Sequence, residues 1–334
     1  MKTVIGLSGG VDSALAARLL LQEGHELTGV FLNIGGSDEA AVQTSKELGI
    51  PLEKIDVRSE LDELVCRPFI DAYVSGRTPN PCIICNPLVK FPALLAAADR
   101  LGAERIATGH YARVEKRGSF YRLLAANSSN DQSYMLCMLG QDVLSRLILP
   151  LGSLEKTDSR RLAAEASLSS SKRPDSMEIC FVPDGDYAAY IEKNCGRLPE
   201  GSFVDAEGSV LGRHLGIHHY TVGQRRGLGV SSGGRLYVSK IDPEKNTVLL
   251  TDESGLMTES FTTWAPHWIV EKPELPLRCE VRVRHAKVLA PATVCANGTG
   301  LIVKYDKSTR KPAPGQTAAF YLNGEVLGGA EIIE

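Results

Sequence analysis

The stretch TVIGLSGGVDSALAARLLL, Thr3–Leu21, decides the fold. An apolar run, Thr3–Leu7, enters the turn SGGVDS, Ser8–Ser13, and leaves it as an alanine- and leucine-rich helix, Ala14–Leu21. A strand feeding a helix through a glycine turn aims backbone N–H groups and the positive helix end at bound phosphate. Gly9 and Gly10 let the backbone approach closely, Ser8 and Ser13 offer hydroxyl donors, and Asp12 suits a magnesium ion. The motif lacks the Gly-Lys-Ser/Thr ending that serves terminal phosphoryl transfer. It therefore reads as a grip on a pyrophosphate leaving group, with attack at the α-phosphate of ATP and an adenylated intermediate. A plain glycine turn capped by Asp12 is the alternative, but six matching residues between a strand and a helix are far more specific than a lone glycine pattern.

At 334 residues the chain has room for two or three domains, and 43% apolar with 23% charged residues fits a globular class. The sequence offers no uninterrupted apolar run of membrane-spanning length, and its N-terminus enters a strand without a basic, cleavable leader. The expectation is a cytoplasmic monomer with no membrane partner. Eight cysteines in a chain of this size are not needed as disulfide staples, so the close pair Cys82 and Cys85 points to chemistry or metal. A net charge of −3 does not advertise nucleic acid, although local basic patches supply phosphate contacts whatever the total.

Working outward, strand and helix signals alternate as in a parallel α/β sheet. Strands are expected at Thr3–Leu7, Glu26–Leu32, Leu52–Asp56 and Glu104–Thr108, and helices at Val11–Gln22 and Asp38–Leu48, ended by Gly24 and Gly49. A third helix is expected at Leu88–Leu101, with Asn86 as N-cap and Pro87 at its first position. Residues 141–168 read as helical, Glu178–Val182 as a strand, and a short helix starts from Asp186. Beyond Leu198 short strands alternate with glycine, proline and Asn-Gly turns, Asn323-Gly324 being a strong hairpin signal. The expected division is a Rossmann-like α/β domain over 1–197, a small β-rich central domain over 198–264 and a C-terminal β-barrel over 265–334.

The cluster GRTPNPCIICNPLVKF, Gly76–Phe91, is the second chemical signal. If Cys85 sits just ahead of a helix N-cap with Lys90 a turn away, both effects favour thiolate. A lone CxxC makes a four-cysteine zinc site a poor fit. Cys180, in SMEICFV, would alone be a core cysteine; facing Cys85 across the nucleotide cleft it would permit a persulfide on one thiol and a resolving disulfide with the other. Cys82, Cys85 and Cys180 together would equally suit a 4Fe–4S cluster with one open coordination site. Cys66, Cys137, Cys195, Cys279 and Cys295 carry no pattern and read as structural.

SGGVDS, TPNPCIICN, ATGHYAR (Ala107–Arg113), NDQSYML (Asn130–Leu136), DSMEICFV (Asp175–Val182) and YTVGQRRGLG (Tyr220–Gly229) occur in the order and spacing of the tRNA-specific 2-thiouridylase family, which the chain resembles over nearly its whole length. The resemblance implies a PP-loop ATP-pyrophosphatase domain, a central domain and a β-barrel that hold a tRNA anticodon stem-loop. It also implies that ATP, with Mg2+, adenylates the C2 oxygen of the wobble uridine, position 34, and that sulfur from a donor protein or sulfide displaces AMP. ATP would be bound by Gly6, Leu7, Ser8, Gly9, Gly10, Val11, Asp12, Ser13, Leu32 and Gly109. Cys85 would be the first catalytic cysteine and Cys180 the persulfide carrier, while Asn80, Pro81 and Cys82 line the target base. His110, Asn130, Asp131 and Gln132 would contact tRNA. One branch of the family has aspartate at position 82 as an acid–base residue; cysteine here strengthens the reading of Cys82, Cys85 and Cys180 as cluster ligands.

The β-rich half adds its own case for RNA. In RCEVRVRHAK, Arg278, Arg282 and Arg284 share one parity and Val281 and Val283 the other, so one face suits phosphate. Arg282 and Val283, with Gln316 in a Pro-Gly-Gln turn where the family contacts tRNA, complete the expected substrate set, and Gln224–Arg226 form a second basic loop. Tyr111 and Tyr134 are candidates to stack on an extruded base. A solvated arginine stripe is the commoner meaning of such a run on its own. Two other readings remain: an amidating or ligating ATP-pyrophosphatase, which needs no converging cysteines, and a non-catalytic RNA-binding protein.

Overall fold

A computed structural model of the chain describes all residues except 175–178, 183, 231–233 and 285–287. Strands β1 (Lys2–Gly6), β2 (Glu26–Asn33), β3 (Leu52–Asp56) and β4 (Arg105–Ala107) are followed by a hairpin, β5 (Ala112–Arg117) and β6 (Phe120–Ala125), and by β7 (Leu147–Ile148). Five of them make a parallel sheet in the order β3-β2-β1-β4-β7. The most apolar strand is central: Val4 and Ile5 are fully buried. Chain order reverses on either side of β1, so a crevice opens beyond its carboxyl end, where Ser8–Ser13 follow. Helix α1 (Val11–Gln22) buries Ala14, Leu15, Ala16, Ala17 and Leu20, the alanines allowing close approach to the sheet.

The helix expected over 141–168 is interrupted. It resolves into Gln141–Leu144, the strand β7 and Lys156–Glu165. Pro150 and Gly152 break the pattern, and pairing of Leu147 and Ile148 with Ile106 and Ala107 takes that segment into the sheet. A Cβ at Gly152 would lie 2.1 Å from the carbonyl oxygen of Ala112, so the chain there passes against backbone.

The central part has a four-stranded sheet of β8 (Gly201–Val204), β9 (Val210–His214), β10 (Tyr237–Asp242) and β11 (Thr247–Thr251), in the order β10-β11-β8-β9. Phe203, Val238 and Val248 form its own core. The last part holds β12 (Met257–Thr263), β13 (His267–Trp268), β14 (Leu277–Arg282), β15 (Ala290–Asn297), β16 (Gly300–Arg310), β17 (Thr317–Leu322) and β18 (Glu325–Glu331). They run β12-β16-β15-β14-β17-β18, and a bridge between Thr263 and Ile332 closes the barrel. Asn323 and Gly324 both have positive φ, as the Asn-Gly hairpin signal requires. The strand Met257–Thr263, which precedes the expected boundary at 264, pairs with β16 and is part of this barrel.

Barrel and α/β domain share one core. Leu124 and Leu123 of β6 pair with Glu325 and Val326 of β18, and Ala319, Tyr321 and Val326 pack with Phe91, Leu94, Tyr134 and Leu136. Within this junction Arg282, only 3% exposed, donates to Asp131 Oδ2 at 2.7 Å. The arginine face expected on that strand is thus not presented to solvent: Arg282 points into the junction and the exposed Arg278 is paired with Asp306. Arg284 is exposed, and 285–287 of the same run lie outside the described residues.

Removing one partner of a buried charge pair leaves the other uncompensated. Arg282→Met is expected to lower unfolding stability by about 3–5 kcal/mol in urea denaturation; a loss within experimental error would mean that the pair does not join the domains.

Candidate active site

The glycine turn folds as an open phosphate loop. Gly10 is the N-cap of α1 and no side chain caps the first turn, which leaves N–H groups at the positive helix end for a ligand. Gly9 has φ +79, and a Cβ there would lie 2.5 Å from Ala40. A Cβ on Gly109, just after β4, would lie 2.6 Å from the Asp12 carbonyl carbon. Both positions therefore demand glycine. The loop's hydroxyls bond within it: Ser8 Oγ and Ser13 Oγ are 3.2 Å apart, and Ser13 Oγ donates to Gly10 O at 3.0 Å.

Asp12 is already engaged. Its carboxylate receives Lys156 Nζ at 2.6 Å on both oxygens and the Tyr111 hydroxyl at 2.8 Å, while Arg173 Nη1 donates to Gly9 O at 2.6 Å. Lys156 and Arg173 thus put two cations beside the loop, and the sequence reading missed both. The available signal was a lysine opening the helix that follows the last strand of the parallel sheet, on the crevice side. Tyr111 and Tyr134 are 1% and 0% exposed, the latter donating to Thr317 O at 2.8 Å, so neither offers a ring for stacking.

The cysteine element differs from expectation in a way that changes its electrostatics. The helix starts at Pro81, not Leu88, and runs to Leu101. Asn80 is the N-cap, its side-chain oxygen accepting from Cys82 N at 3.2 Å. The prolines at 87 and 92 lack the N–H groups an α-helix would use, and the helix absorbs them in a π turn over Asn86–Lys90, with Phe91 N donating to Asn86 O. Asn86 is buried inside the helix, its Nδ2 donating to Met135 O at 2.7 Å. By length and composition this helix could cross a membrane, with mean hydropathy 1.5 over its most apolar window; here Ile83, Phe91, Leu94, Ala97 and Ala98 are buried in the core.

Cys85 consequently lies within the helix rather than ahead of it, and burial pushes its thiol up despite the opposing charge of Lys90. Cys82, exposed, is three residues earlier on the same helical face. Cys180 falls in a turn; residues 179–182 are not a strand, and Val182 N donates to Ile179 O at 2.9 Å. Residues 175–178, with the start of that expected strand, lie outside the described residues. Although Cys180 is exposed as a residue, burial of its thiol, followed by the Cys82 and Cys85 thiols, pushes it up to about 11. Three sulfurs close enough to act on one another are thereby brought together. Cys66 borders them, its thiol raised by burial and, more weakly, by Cys180. All eight cysteines are free thiols.

Several expected substrate residues hold the site together instead. The TPNP loop is gripped by the barrel: Thr78 N donates to Pro314 O and Gln316 Nε2 to Thr78 O, both at 2.7 Å. Asp131 Oδ1 accepts from Ala126 N and Ser133 N at 2.8 and 3.1 Å. Gln132 N and Oε1 bond Tyr111 O and N at 2.7 and 3.0 Å. His110 is half-buried, its Nδ1 2.8 Å from Thr108 Oγ1, and burial with nearby Lys90 holds it well below the usual histidine range, so it is neutral. Asn130, Leu32 and Val283 are half-buried and Pro81 is buried, whereas Arg225 and Arg226 are exposed.

The nucleotide loop and the cysteine-bearing helix meet through Gly109 and His110, whose ring lies 6.1 Å from that of Phe91. Gly109 touches Asp12 of the nucleotide loop; next to it His110 feels Lys90, which in turn acts on Cys85. Three family models match in this order: a tRNA methyl transferase HUP domain over 1–184, a tRNA methyl transferase PRC-barrel domain over 188–252, and an aminomethyltransferase beta-barrel domain over 258–332. The tRNA-specific 2-thiouridylase MnmA of Syntrophotalea carbinolica is 41% identical over 98% of this chain and 97% of its own. That of Clostridioides difficile is 38% identical over 100% and 98%. The chain belongs to the tRNA-specific 2-thiouridylase family. Cys82 stands on the first turn of the helix that begins at Pro81.

Gly109→Ala should displace the backbone at Asp12 and lower pyrophosphate release about a hundredfold, with an unchanged melting temperature; near-normal release would show that the close approach is unimportant. The reaction of Cys180 with iodoacetamide, followed by peptide mass spectrometry, should speed up about tenfold per pH unit from pH 7 to 9, because the thiolate is the minor form below about 11. A rate flat with pH would mean that Cys180 is already ionised.

Proposed function

We propose that the protein is a tRNA-uridine 2-sulfurtransferase that converts the C2 oxygen of the wobble uridine, position 34, to sulfur. The observation that carries this reading is an uncapped phosphate loop joined through Gly109 and His110 to the helix of Cys82 and Cys85, with Cys180 near enough for their thiols to raise its own. An amidating or ligating enzyme would use the loop and leave the thiols without purpose. Curated relatives of nearly equal length bear the 2-thiouridylase name. A tRNA substrate also places the work in the cytoplasm, with the anticodon stem-loop as the bound element and sulfide or a donor protein as the sulfur source.

In the first step the loop's N–H groups and the positive end of α1 hold the pyrophosphate of ATP while the uridine oxygen attacks the α-phosphorus. The Pα–O bond to pyrophosphate breaks as the new bond forms. Asp12 would turn to Mg2+ and Lys156, released from it, to the phosphates, so the ion pair in the structure keeps both groups in place for that exchange. In the second step a sulfur nucleophile adds at C2 and AMP leaves.

With sulfide this needs no redox partner. With a Cys180 persulfide, its terminal sulfur attacks C2, and Cys85 thiolate then attacks the Cys180 sulfur; the S–S bond breaks toward C2, giving the thiocarbonyl and a Cys85–Cys180 disulfide. Both thiols are raised, so they are poor nucleophiles unaided near neutral pH. That observation favours a second sulfur route, in which Cys82, Cys85 and Cys180 hold a 4Fe–4S cluster, since coordination deprotonates thiols outright. When bound, such a group supplies an open iron site for sulfide; the chain contributes the three thiolates and the base pocket beside Asn80 and Pro81.

The test is 2-thiouridine by mass spectrometry after anaerobic incubation with unmodified tRNA, MgATP and sulfide. Product is expected, and is expected to vanish in Cys85→Ser and Cys180→Ser. Thiolation by metal-free protein with sulfide supports direct attack, thiolation of metal-free protein only when a persulfide donor replaces sulfide supports the persulfide route, and thiolation only after iron reconstitution supports the cluster. No product in either form, with competent tRNA, overturns the reading.

A further inference from the structure

A second cluster of metal-ligating side chains lies away from the cysteines, where the α/β domain meets the central domain. The helix Tyr187–Cys195, whose Ile191 packs with Phe69, Ile70 and Tyr73 of the α/β domain, carries Glu192, and the 3₁₀ turn Ile217–His219 carries His218 and His219; all three residues fall within the PRC-barrel match. One ligand atom from each of the three residues lies within 4.8 Å of the other two, and no other such group of histidine, cysteine and carboxylate occurs among the described residues. Both imidazoles approach the same oxygen: Glu192 Oε1 is 3.2 Å from His218 Nε2 and 3.4 Å from His219 Nε2. His218 is fully buried.

The hydrogen bonds do not account for this arrangement. His218 pairs with the carboxylate at 3.2 Å, whereas the buried His219 Nε2 reaches the same oxygen only at 3.4 Å and outside good hydrogen-bond geometry. The two imidazole rings pack with centroids 4.2 Å apart. The remaining nearby cation, Arg197, lies 3.9 Å from the same oxygen on an exposed side chain. His214, also near, is already satisfied, its Nδ1 accepting from Gly216 N and its Nε2 3.2 Å from Asn246 O.

We propose that Glu192, His218 and His219 bind a divalent transition-metal ion, zinc by ligand type, which clamps the turn Ile217–His219 to the helix Tyr187–Cys195. Tetrahedral zinc with bonds of about 2.0–2.1 Å spaces its ligand atoms about 3.3 Å apart. The two distances to Glu192 Oε1 match that edge. Two imidazoles and a carboxylate suit zinc, and the half-exposed side of His219 and Glu192 leaves room for water as fourth ligand. The ion would replace the poorly aligned His219–Glu192 contact with a bond to each residue. It would also tie together two elements otherwise joined here by the bond from the Tyr187 hydroxyl to His219 O, at 3.2 Å, and the Glu192–His218 bond.

The cysteine site would compete for metal, so the test uses full-length Cys82→Ser/Cys85→Ser/Cys180→Ser protein stripped with chelator and titrated with cobalt(II), then zinc. One equivalent of cobalt is expected, with visible d–d bands and no sulfur-to-cobalt charge transfer, displaced by zinc. Adding Glu192→Gln, or separately His219→Asn, should weaken binding by more than about a hundredfold, since even outer-shell changes cost 10–100-fold. Circular dichroism of the chelated variants checks that they are folded, and zinc should raise the melting temperature only where the trio is intact. Absence of bound cobalt, a sulfur charge-transfer band, or affinity unchanged in both variants would overturn the proposal. Thiolation is not read in this experiment, so its failure leaves the sulfurtransferase reading untouched.

Discussion

The carboxylate of Asp131 is the point on which the catalytic geometry hangs. It accepts bonds from Ala126 N, Ser133 N, Ser133 Oγ and Arg282, and so fixes one loop of the α/β domain against the barrel. Its neighbour Gln132 pins both backbone groups flanking Tyr111, and the Tyr111 hydroxyl bonds Asp12 in the nucleotide loop. A continuous series of short polar contacts thus runs from a barrel arginine to the residue expected to meet magnesium. Burial makes these contacts strong when complete and costly when broken. The barrel is therefore part of the active-site scaffold.

The same scaffold sets the chemistry of sulfur. By drawing the helix 81–101 into the core the fold desolvates Cys85, and by closing a turn over it adds Cys180 to the same small region. Desolvation and mutual repulsion hold the thiols protonated, and Lys90 offsets only part of that effect. Such thiols are protected from stray oxidants until a partner that removes their protons arrives.

How much of this was legible in the chain follows from the range of the forces involved. SGGVDS between an apolar strand and an alanine-rich helix is local, and the loop, the parallel sheet and the Asn-Gly hairpin form where the sequence places them. Asn86-Pro87 gave a sound local helix start, but Asn80-Pro81 offers the same signal six residues earlier, and packing of Ile83 and Phe91 chose the longer helix. Arginine parity places Arg278 and Arg282 at like positions on β14 while Arg284 falls beyond its end, and parity does not say that the Asp131 carboxylate waits opposite Arg282. Lys156 escaped notice because its partner, Asp12, is 144 residues away.

The π turn at Asn86–Lys90 is equivalent to one residue inserted into an α-helix. Each helical residue advances the chain by about 100°, so the segment carrying Cys82 and Cys85 is out of phase with the segment anchored by Leu94 and Ala98. Deleting a single residue from 86–90 would restore an ordinary helix and swing the CxxC pair more than a quarter-turn around the axis, away from Cys180, while the core contacts below stayed in register. The spacing between the thiols and the nucleotide loop is thus encoded as a phase offset in one helix, and length changes there would be felt as rotation rather than as extension.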